Sequence, residues 1–199
     1  MLLRLIAGLV VFHGIHLVPT MTGVRERLRA RLGAGPYQGL FSLLSLLGLY
    51  LIVTGYAATR TLGSANPQLF VPPGWTRHVV FLLMMISFVL LVAAYVPSRI
   101  RTAVKHPMLA AIKIWAFAHL LVRGDLASVL LFGSFLAYAV YDRISVKKRA
   151  AMGPLGTASG KPINDVIVVV GGLALYALFV GWAHGFLIGV PLTRVSAAQ

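Results

Sequence analysis

Long apolar stretches alternate with short polar ones along the chain. Six of these stretches approach the roughly 20 apolar residues that a helix needs to cross a bilayer. They cover residues 2–19, 38–58, 78–97, 107–122, 126–141 and 166–191. The pattern predicts an all-α, polytopic transmembrane helical bundle of about six spans, folded as a single integral membrane domain over residues 1–199. The fourth and fifth spans are short and three residues apart, so we expect them to form a tight hairpin.

Composition supports this prediction and limits the partners. Hydrophobic residues make up 59% of the chain and charged residues only 11%, whereas about a quarter of the residues in soluble domains are charged. The net charge of +14 lies in connections beside apolar spans rather than on a soluble basic module. We therefore expect the lipid bilayer, and no nucleic acid, as the partner. No small-residue cleavage site follows the first span, so we interpret that span as retained.

The basic residues predict an orientation in the membrane. The connections after spans one, three and five carry four, three and five Lys or Arg residues, whereas those after spans two and four carry only Arg60, Arg77 and Arg123. Because Lys and Arg accumulate on the cytoplasmic side, we predict a multi-pass protein whose three basic connections lie in the cytoplasm and whose termini both lie outside. The first basic connection, VRERLRARLGAGPY, is typical of a short helix lying on the membrane surface.

Glycine and proline positions add three expectations. Residues 59–77 contain three prolines and two glycines, which predicts an irregular outer connection. Residues 151–165 are Gly-rich and polar, which is typical of a flexible loop. Gly181, Gly185 and Gly189 recur every four residues in span six. Such a row of small residues predicts close contact with another helix.

Histidines inside apolar spans are the candidate functional residues. His13, His16 and His119 lie within predicted spans, where an ionisable side chain is costly and marks a functional site by default. His78 and His106 lie at span ends, where an interfacial role is the ordinary interpretation. For His184, beside the glycine row, an interhelical hydrogen bond and a functional role stay equally open.

The remaining composition narrows the chemistry of these histidines. Cysteine is absent, and the four acidic residues, Glu26, Asp125, Asp142 and Asp165, lie outside the predicted spans. A carboxylate-assisted zinc or di-iron centre is therefore disfavoured. Haem iron accepts imidazole ligands from helices that border an apolar slot, so haem is the candidate cofactor. A proton relay would be sparse without an intramembrane carboxylate.

Depth tests which histidines lie at one level. At a rise of ~1.5 Å per residue, His16 lies ~3–5 Å from the cytoplasmic end of span one, whereas His119 lies ~18 Å from Pro107. If Lys113 extends to the headgroups, as long basic side chains do, the depth of His119 falls to ~9–12 Å. His119 then approaches the level of His16 or His13.

Two long segments resemble the NnrU family of membrane proteins. They are MLLRLIAGLVVFHGIHLVPTMTGVRERLRARLGAGPYQGLFSLLSLLGLYLIVTGY and RTAVKHPMLAAIKIWAFAHLLVRGDLASVLLFGSFLAYAVYD, and the resemblance extends to about residue 150. The family is associated with bacterial denitrification and nitric oxide metabolism. The plastid zeta-carotene isomerase, a haem b protein, is similar across the same core. The resemblance thus implies a location in the bacterial inner (cytoplasmic) membrane and haem b as the cofactor. It also implies nitrogen-oxide respiratory components or an apolar polyene as partners.

The resemblance also implies ligands. The histidine that ends the first apolar span corresponds to His16, and the histidine of the WAFAH segment corresponds to His119. These two are the expected axial ligands of the haem iron, with His13 and His106 as substitutes. The isomerase has a cysteine three residues before the second histidine, and here that position is Ala116. A ligand change that requires a thiolate is therefore absent from this chain.

Three hypotheses follow. The first is a haem b protein with a supporting or redox role in denitrification or nitric oxide metabolism. The second is an enzyme, a haem-dependent cis-trans isomerase of a carotenoid-like polyene, and the third is a cofactor-free membrane assembly protein. Lys105-His106-Pro107 is also similar to an element of membrane methyltransferases. Those enzymes require acidic residues in a C-terminal cofactor region, and span six contains none.

Overall fold

A computed structural model of the chain describes residues 1–61, 66–150, 155 and 160–192. These residues form helices and short connections, with an isolated antiparallel bridge between Gln68 and Asp125. The helices are α1 (Leu2–Leu17), α2 (Thr22–Leu32), α3 (Ala34–Thr61), α4 (Thr76–Ala93), α5 (Arg99–Val104), α6 (Pro107–Leu120), α7 (Leu126–Lys148), α8 (Pro162–Leu178) and α9 (His184–Ile188). A π-helical turn, Phe179–Ala183, joins α8 to α9.

The predicted fold class is confirmed. Within the described residues, five helical segments are long and apolar enough to cross a membrane: Leu2–Thr20, Ala34–Arg60, Thr76–Ala93, Leu126–Lys148 and Pro162–Ile188. The predicted fourth span is α6, which is apolar but has only 14 residues. At ~1.5 Å per residue it is ~21 Å long, less than the ~30 Å hydrocarbon core.

The fifth span is longer than predicted. The apolar pattern ends near residue 141, but α7 continues to Lys148 and has 23 residues. Beyond the apolar segment, side-chain contacts within the helix stabilise the last turns of α7. The Arg149 guanidinium pairs with Asp142 at 3.2 Å and donates a hydrogen bond to Ser145 at 3.0 Å. The hairpin of α6 and α7 therefore has one short and one full-length arm.

The packing of the helices gives the bundle its order. α1 packs against α3 and α7, α6 packs between α7 and α4, and α4 also packs against α8. The central apolar cluster joins Leu5 and Leu9 of α1 to Ala116 of α6 and Phe132 of α7. The α1, α6 and α7 helices therefore border one apolar region.

Contacts near the ends of the helices define two ends of the bundle. At one, which we call the basic end, Arg149 donates to the carbonyl oxygen of Pro19, and Asp165 accepts from the backbone nitrogen of Arg99 at 2.7 Å. The predicted surface helix is α2, which forms here. Most of the predicted loop over 151–165 lies outside the described residues. The other end, which we call the hairpin end, holds the α6–α7 turn and residues 66–75.

Within the described part of the chain, the glycine row of span six does not make the predicted helix contact. A Cβ atom at Gly181 or Gly189 would have no heavy atom within 4 Å among the described residues, and one at Gly185 would meet only Pro191. A close approach occurs between α1 and α3 instead. There Gly8 of α1 lies against the backbone of α3, and Gly55 of α3 lies against the backbone of α1. The prediction was wrong because spacing identifies a smooth helix face without showing what covers it.

Asp125 organises the hairpin end as the N-cap of α7. Its carboxylate accepts hydrogen bonds from the Asn66 side chain at 2.9 Å and from the backbone and hydroxyl of Ser128 at 3.0 and 2.7 Å. Arg123 pairs with it at 3.4 Å. Burial acts to raise the pKa of Asp125, but the hydrogen bonds from Asn66 and Ser128, aided by Arg123, outweigh it and lower the pKa. The carboxylate is thus ionised at neutral pH.

Replacing Asp125 with alanine is expected to lower the free energy of unfolding by about 2 kcal/mol, the upper range for loss of an N-cap, because Arg123 also loses its partner. Since the folded pKa is depressed, the stabilisation by Asp125 is present above pH ~4 and is lost as the pH falls through the folded pKa. Thermal unfolding in detergent at neutral and acidic pH measures both effects. If acid destabilises the Asp125→Ala variant as much as the unchanged protein, the carboxylate does not contribute this pH dependence.

Candidate functional site

The histidines of the apolar spans meet one aromatic face of α7. Phe132, Phe135 and Tyr138 recur every three residues and so share a side of that helix. His119 of α6 packs against Phe132, with ring centroids 4.5 Å apart, and His13 of α1 packs against Phe135 at 4.8 Å. The candidate site therefore lies between α1, α6 and α7.

His119 is held by its own helix and by α7. Its Nδ1 is 2.8 Å from the carbonyl oxygen of Trp115, one turn earlier. A carbonyl oxygen only accepts hydrogen bonds, so Nδ1 carries the hydrogen and Nε2 carries the free lone pair in the neutral ring. The ring stacks on Phe132 with an interplanar angle of 22°. Both contacts restrict the direction in which Nε2 points.

His16 has the same arrangement on α1. Its Nδ1 is 2.7 Å from the carbonyl oxygen of Phe12, which again leaves the lone pair on Nε2. The imidazole stacks on the Phe12 ring at 4.1 Å and lies 5.1 Å from the ring of Phe41 on α3. Tyr138 donates its hydroxyl to the carbonyl oxygen of His16 at 3.1 Å. The α7 helix thus contacts the end of α1 that carries this residue.

His13 differs from these two in its tautomer. The Ser134 hydroxyl donates to the carbonyl oxygen of Leu131 at 2.9 Å, so its oxygen accepts from Nε2 of His13 at 3.2 Å. Nε2 therefore carries the hydrogen, and the lone pair is on Nδ1. That atom is buried and has no hydrogen-bond partner among the described residues. His13 is an imidazole with its acceptor atom unsatisfied.

The two predicted ligands lie at different heights along α7. His119 contacts Phe132 and His16 contacts Tyr138, six residues later, which corresponds to ~9 Å along the helix axis. His13 contacts Phe135 and Tyr138, so its height is intermediate. Ring contacts run without interruption from His16 to His119, through Phe12, Phe135 and Trp115. Aromatic side chains therefore fill the space between the two predicted ligands.

Among the described residues, the other histidines make no ring contact with this aromatic face. His78 is exposed at the start of α4. His106 precedes α6 at the basic end, where burial and nearby cations, Arg143 above all, lower its pKa. Nδ1 of His184 donates to the carbonyl oxygen of Val190 at 2.7 Å. That hydrogen bond lies within the last segment of the chain, so it is not an interhelical contact.

The donor set favours a cofactor that needs few protein ligands. Among the described residues, no group of three or more His, Asp or Glu side chains is placed to hold a metal ion. Two imidazoles with Nε2 lone pairs match the ligation of haem iron, to which the porphyrin supplies the remaining ligands. Ser134 and Tyr138 also belong to this site, although no sequence motif identified them. The aromatic spacing of three in FGSFLAY pointed to this face of α7.

Comparison with known proteins identifies the family. The model of the family described as NnrU protein matches residues 4–192, well beyond the limit near residue 150 that the sequence resemblance suggested. No curated protein and no solved structure matches the chain. The match begins in the first turn of α1, extends past the end of α9 and includes every residue of the candidate site. The chain therefore belongs to the NnrU family.

Proposed function

We propose that this protein binds haem b in the membrane, with His16 and His119 as axial ligands. The observation that carries the proposal is the shared geometry of the two imidazoles. Each has Nδ1 fixed to a carbonyl oxygen one turn earlier, so each offers Nε2 as a ligand. Histidines that bind metals commonly donate the other ring N–H in this way, which fixes the tautomer and the ring orientation.

The chain's own residues define what the site would do. His16 and His119 would hold the iron, while Phe12, Phe41, Phe132 and Trp115 would border the macrocycle and exclude water. Bound haem supplies one-electron redox chemistry, with a potential tuned by its ligands and by burial. We propose that this chemistry supports denitrification or nitric oxide metabolism, with nitrogen-oxide respiratory components as partners. The proposed location is the bacterial inner membrane, with both termini outside.

The proposal requires the aromatic packing to open. Phe12 and Phe135 are in ring contact at 5.4 Å and occupy the path between the two ligands. The Phe12 and Phe135 rings would then border the bound group and keep its surroundings apolar. His13 is the substitute ligand nearest to this path, through its Nδ1 atom.

The absorption spectrum tests the proposal most directly. Protein produced with an adequate haem supply and purified in detergent is expected to show a Soret band, and split visible bands on reduction. Pyridine extraction measures the haem content per chain. A colourless preparation that also fails to bind added haemin would refute the proposal.

A cofactor-free assembly protein is the second candidate, and the filled ring path favours it. In that case the histidines have a structural role in helix packing. The ring of Phe135 on α7 contacts His13 of α1 and Trp115 of α6, and these contacts would hold the three helices together. Polar residues of membrane helices commonly contribute about 0.6 kcal/mol per interhelical hydrogen bond. A colourless protein destabilised by replacement of His13 or Ser134 would support this candidate over the first.

The isomerase alternative depends on the same iron and makes a separate prediction. Reduced, haem-loaded protein is expected to convert a cis-polyene to its trans isomer, whereas the oxidised form is not. Ala116, at the position of the isomerase cysteine, is fully buried in the central apolar cluster. Any such activity in this chain would have to proceed without a thiolate ligand. Conversion by neither redox form would exclude this alternative and leave haem binding untouched.

A further inference from the structure

A polar cavity lies at the hairpin end, away from the aromatic site. Its volume is about 380 Å³, and it is bordered by the end of α3, the α6–α7 turn and the connection before α4. Its lining includes Arg60 and Arg123, together with Asn66, Gln68 and Asp125. We infer that this cavity binds a phosphate group, through the guanidinium groups of Arg60 and Arg123.

The charges of the cavity favour an anion. Asp125 is its only acidic lining residue among those described, and the Asp125 side chain already accepts from Asn66, Ser128 and Arg123. Its carboxylate is therefore satisfied. Two guanidiniums and one carboxylate leave one positive charge in excess. Within the described part of the chain, that excess is assigned to Arg60, since its hydrogen bond goes to the neutral carbonyl of Ile188.

Unused hydrogen-bond donors of Arg60 and Arg123 also favour an anionic ligand. A guanidinium has five N–H donors. Arg123 directs Nε to Ser128 and Nη2 to Asp125, and Arg60 directs one Nη1 hydrogen to Ile188, so each retains donors for a ligand. The carbonyl oxygen of Gly124 already accepts from the backbone nitrogens of Leu69 and Phe70. Forked donors match phosphate oxygens geometrically, which is why arginine recurs at phosphate sites.

The connection before α4, next to the cavity, suggests a phospholipid headgroup as one source of that phosphate. Beside Gln68, the chain exposes Leu69, Phe70 and Val71, with Val71 83% exposed, and Trp75 is 66% exposed. Exposed apolar and aromatic side chains at the end of membrane helices lie at the headgroup level. A phospholipid could therefore place its phosphate in the cavity and its acyl chains along this connection. Free phosphate offers the same oxygens without the acyl contacts.

Ligand-dependent thermal unfolding of the purified protein tests the inference. We expect a saturable rise in Tm with inorganic phosphate or with micelles that contain phosphatidylglycerol. In the Arg60→Gln variant, the apparent affinity for the active probe is expected to fall about tenfold or more, the scale for losing a hydrogen bond to a charged group. Arg60→Lys retains the charge but not the fork, so an intermediate loss is expected. A saturable rise in Tm with the lipid alone identifies a headgroup site. A saturable rise with both probes identifies a free-anion site.

Arg77→Gln is the matched control, because Arg77 is exposed at the same end of the bundle and does not line the cavity. It is expected to leave both affinities unchanged. The inference is overturned if neither probe gives a saturable shift, if chloride at equal ionic strength reproduces the shift, or if Arg77→Gln weakens binding as much as Arg60→Gln. Should Arg60→Gln not yield folded protein, Arg60→Lys serves alone, and an unchanged affinity there overturns the inference as well.

Discussion

Replacing Gly8 with valine is expected to abolish the native contact between α1 and α3 and to leave little folded protein. A Cβ atom at residue 8 would lie 2.6 Å from the backbone nitrogen of Ile52 and 2.9 Å from the carbonyl carbon of Leu51. Both atoms belong to the backbone of α3, so rotation of a side chain cannot relieve the clash. Overpacking in a core commonly costs about 1–3 kcal/mol, and here we expect the upper end or more.

Gly14→Val on the same helix is the control for this prediction. A Cβ atom at Gly14 would have no heavy atom within 4 Å among the described residues. Both variants carry the same cost of valine in a helix, so the difference between them isolates the packing against α3. The yield of monodisperse protein and thermal unfolding in detergent are the measurements. Equal stability of the two variants would show that α1 and α3 do not approach this closely.

The reciprocal contacts extend the same argument to α3. A Cβ atom at Gly55 would lie 2.5 Å from the backbone nitrogen of Leu5, and one at Gly48 would lie 2.8 Å from the backbone nitrogen of Phe12. Glycines on both helices thus permit the approach. Close backbone contact of this kind is a main source of helix association in a bilayer, where apolar side chains gain little by leaving lipid.

Hydrophobic pattern predicted the spans of this protein well but not their neighbours. The α1, α3, α4 and α8 segments appear where the apolar runs are, because a span must satisfy its backbone hydrogen bonds internally wherever it lies. Gly55 and Gly181, by contrast, look alike in sequence, but among the described residues only Gly55 of the two meets another helix. Lipid and protein interior are similarly apolar, so the composition of a face does not show which of them covers it.

The candidate site was likewise only partly predictable from the sequence. A polar residue in an apolar span stands out in any sequence, so His13, His16 and His119 were found. Which ring nitrogen is available depends on a partner elsewhere in the chain, such as Ser134 for His13. Serine is a common packing residue of membrane helices, so nothing in the sequence marked that partner. The position of each histidine along the axis of α7 depends on how α7 packs against α1 and α6. Counting residues from the end of a predicted span does not give that packing.

If the protein binds haem as proposed, replacing His119 with alanine is expected to remove the haem chromophore. Loss of an outer-shell partner alone lowers metal affinity roughly 10–100-fold, so loss of a ligand is expected to cost about 100-fold or more. The measurement is the ratio of Soret to protein absorbance after purification under equal haem supply. His16→Ala is expected to behave in the same way, and His78→Ala, at an exposed position of α4, is expected to retain the chromophore.

A structural role for His119 would also lower haem content, because its ring stacks on Phe132 in the packed region. Added imidazole separates the two roles. If His119 is a ligand, imidazole that enters the space vacated in the His119→Ala variant would bind the iron and restore the low-spin spectrum, whereas a packing defect would not respond. His13→Ala completes the set, since Nε2 of His13 is engaged by Ser134. Loss of the chromophore in His13→Ala but not in His16→Ala would move the α1 ligand from His16 to Nδ1 of His13, where an acceptor atom is already unsatisfied.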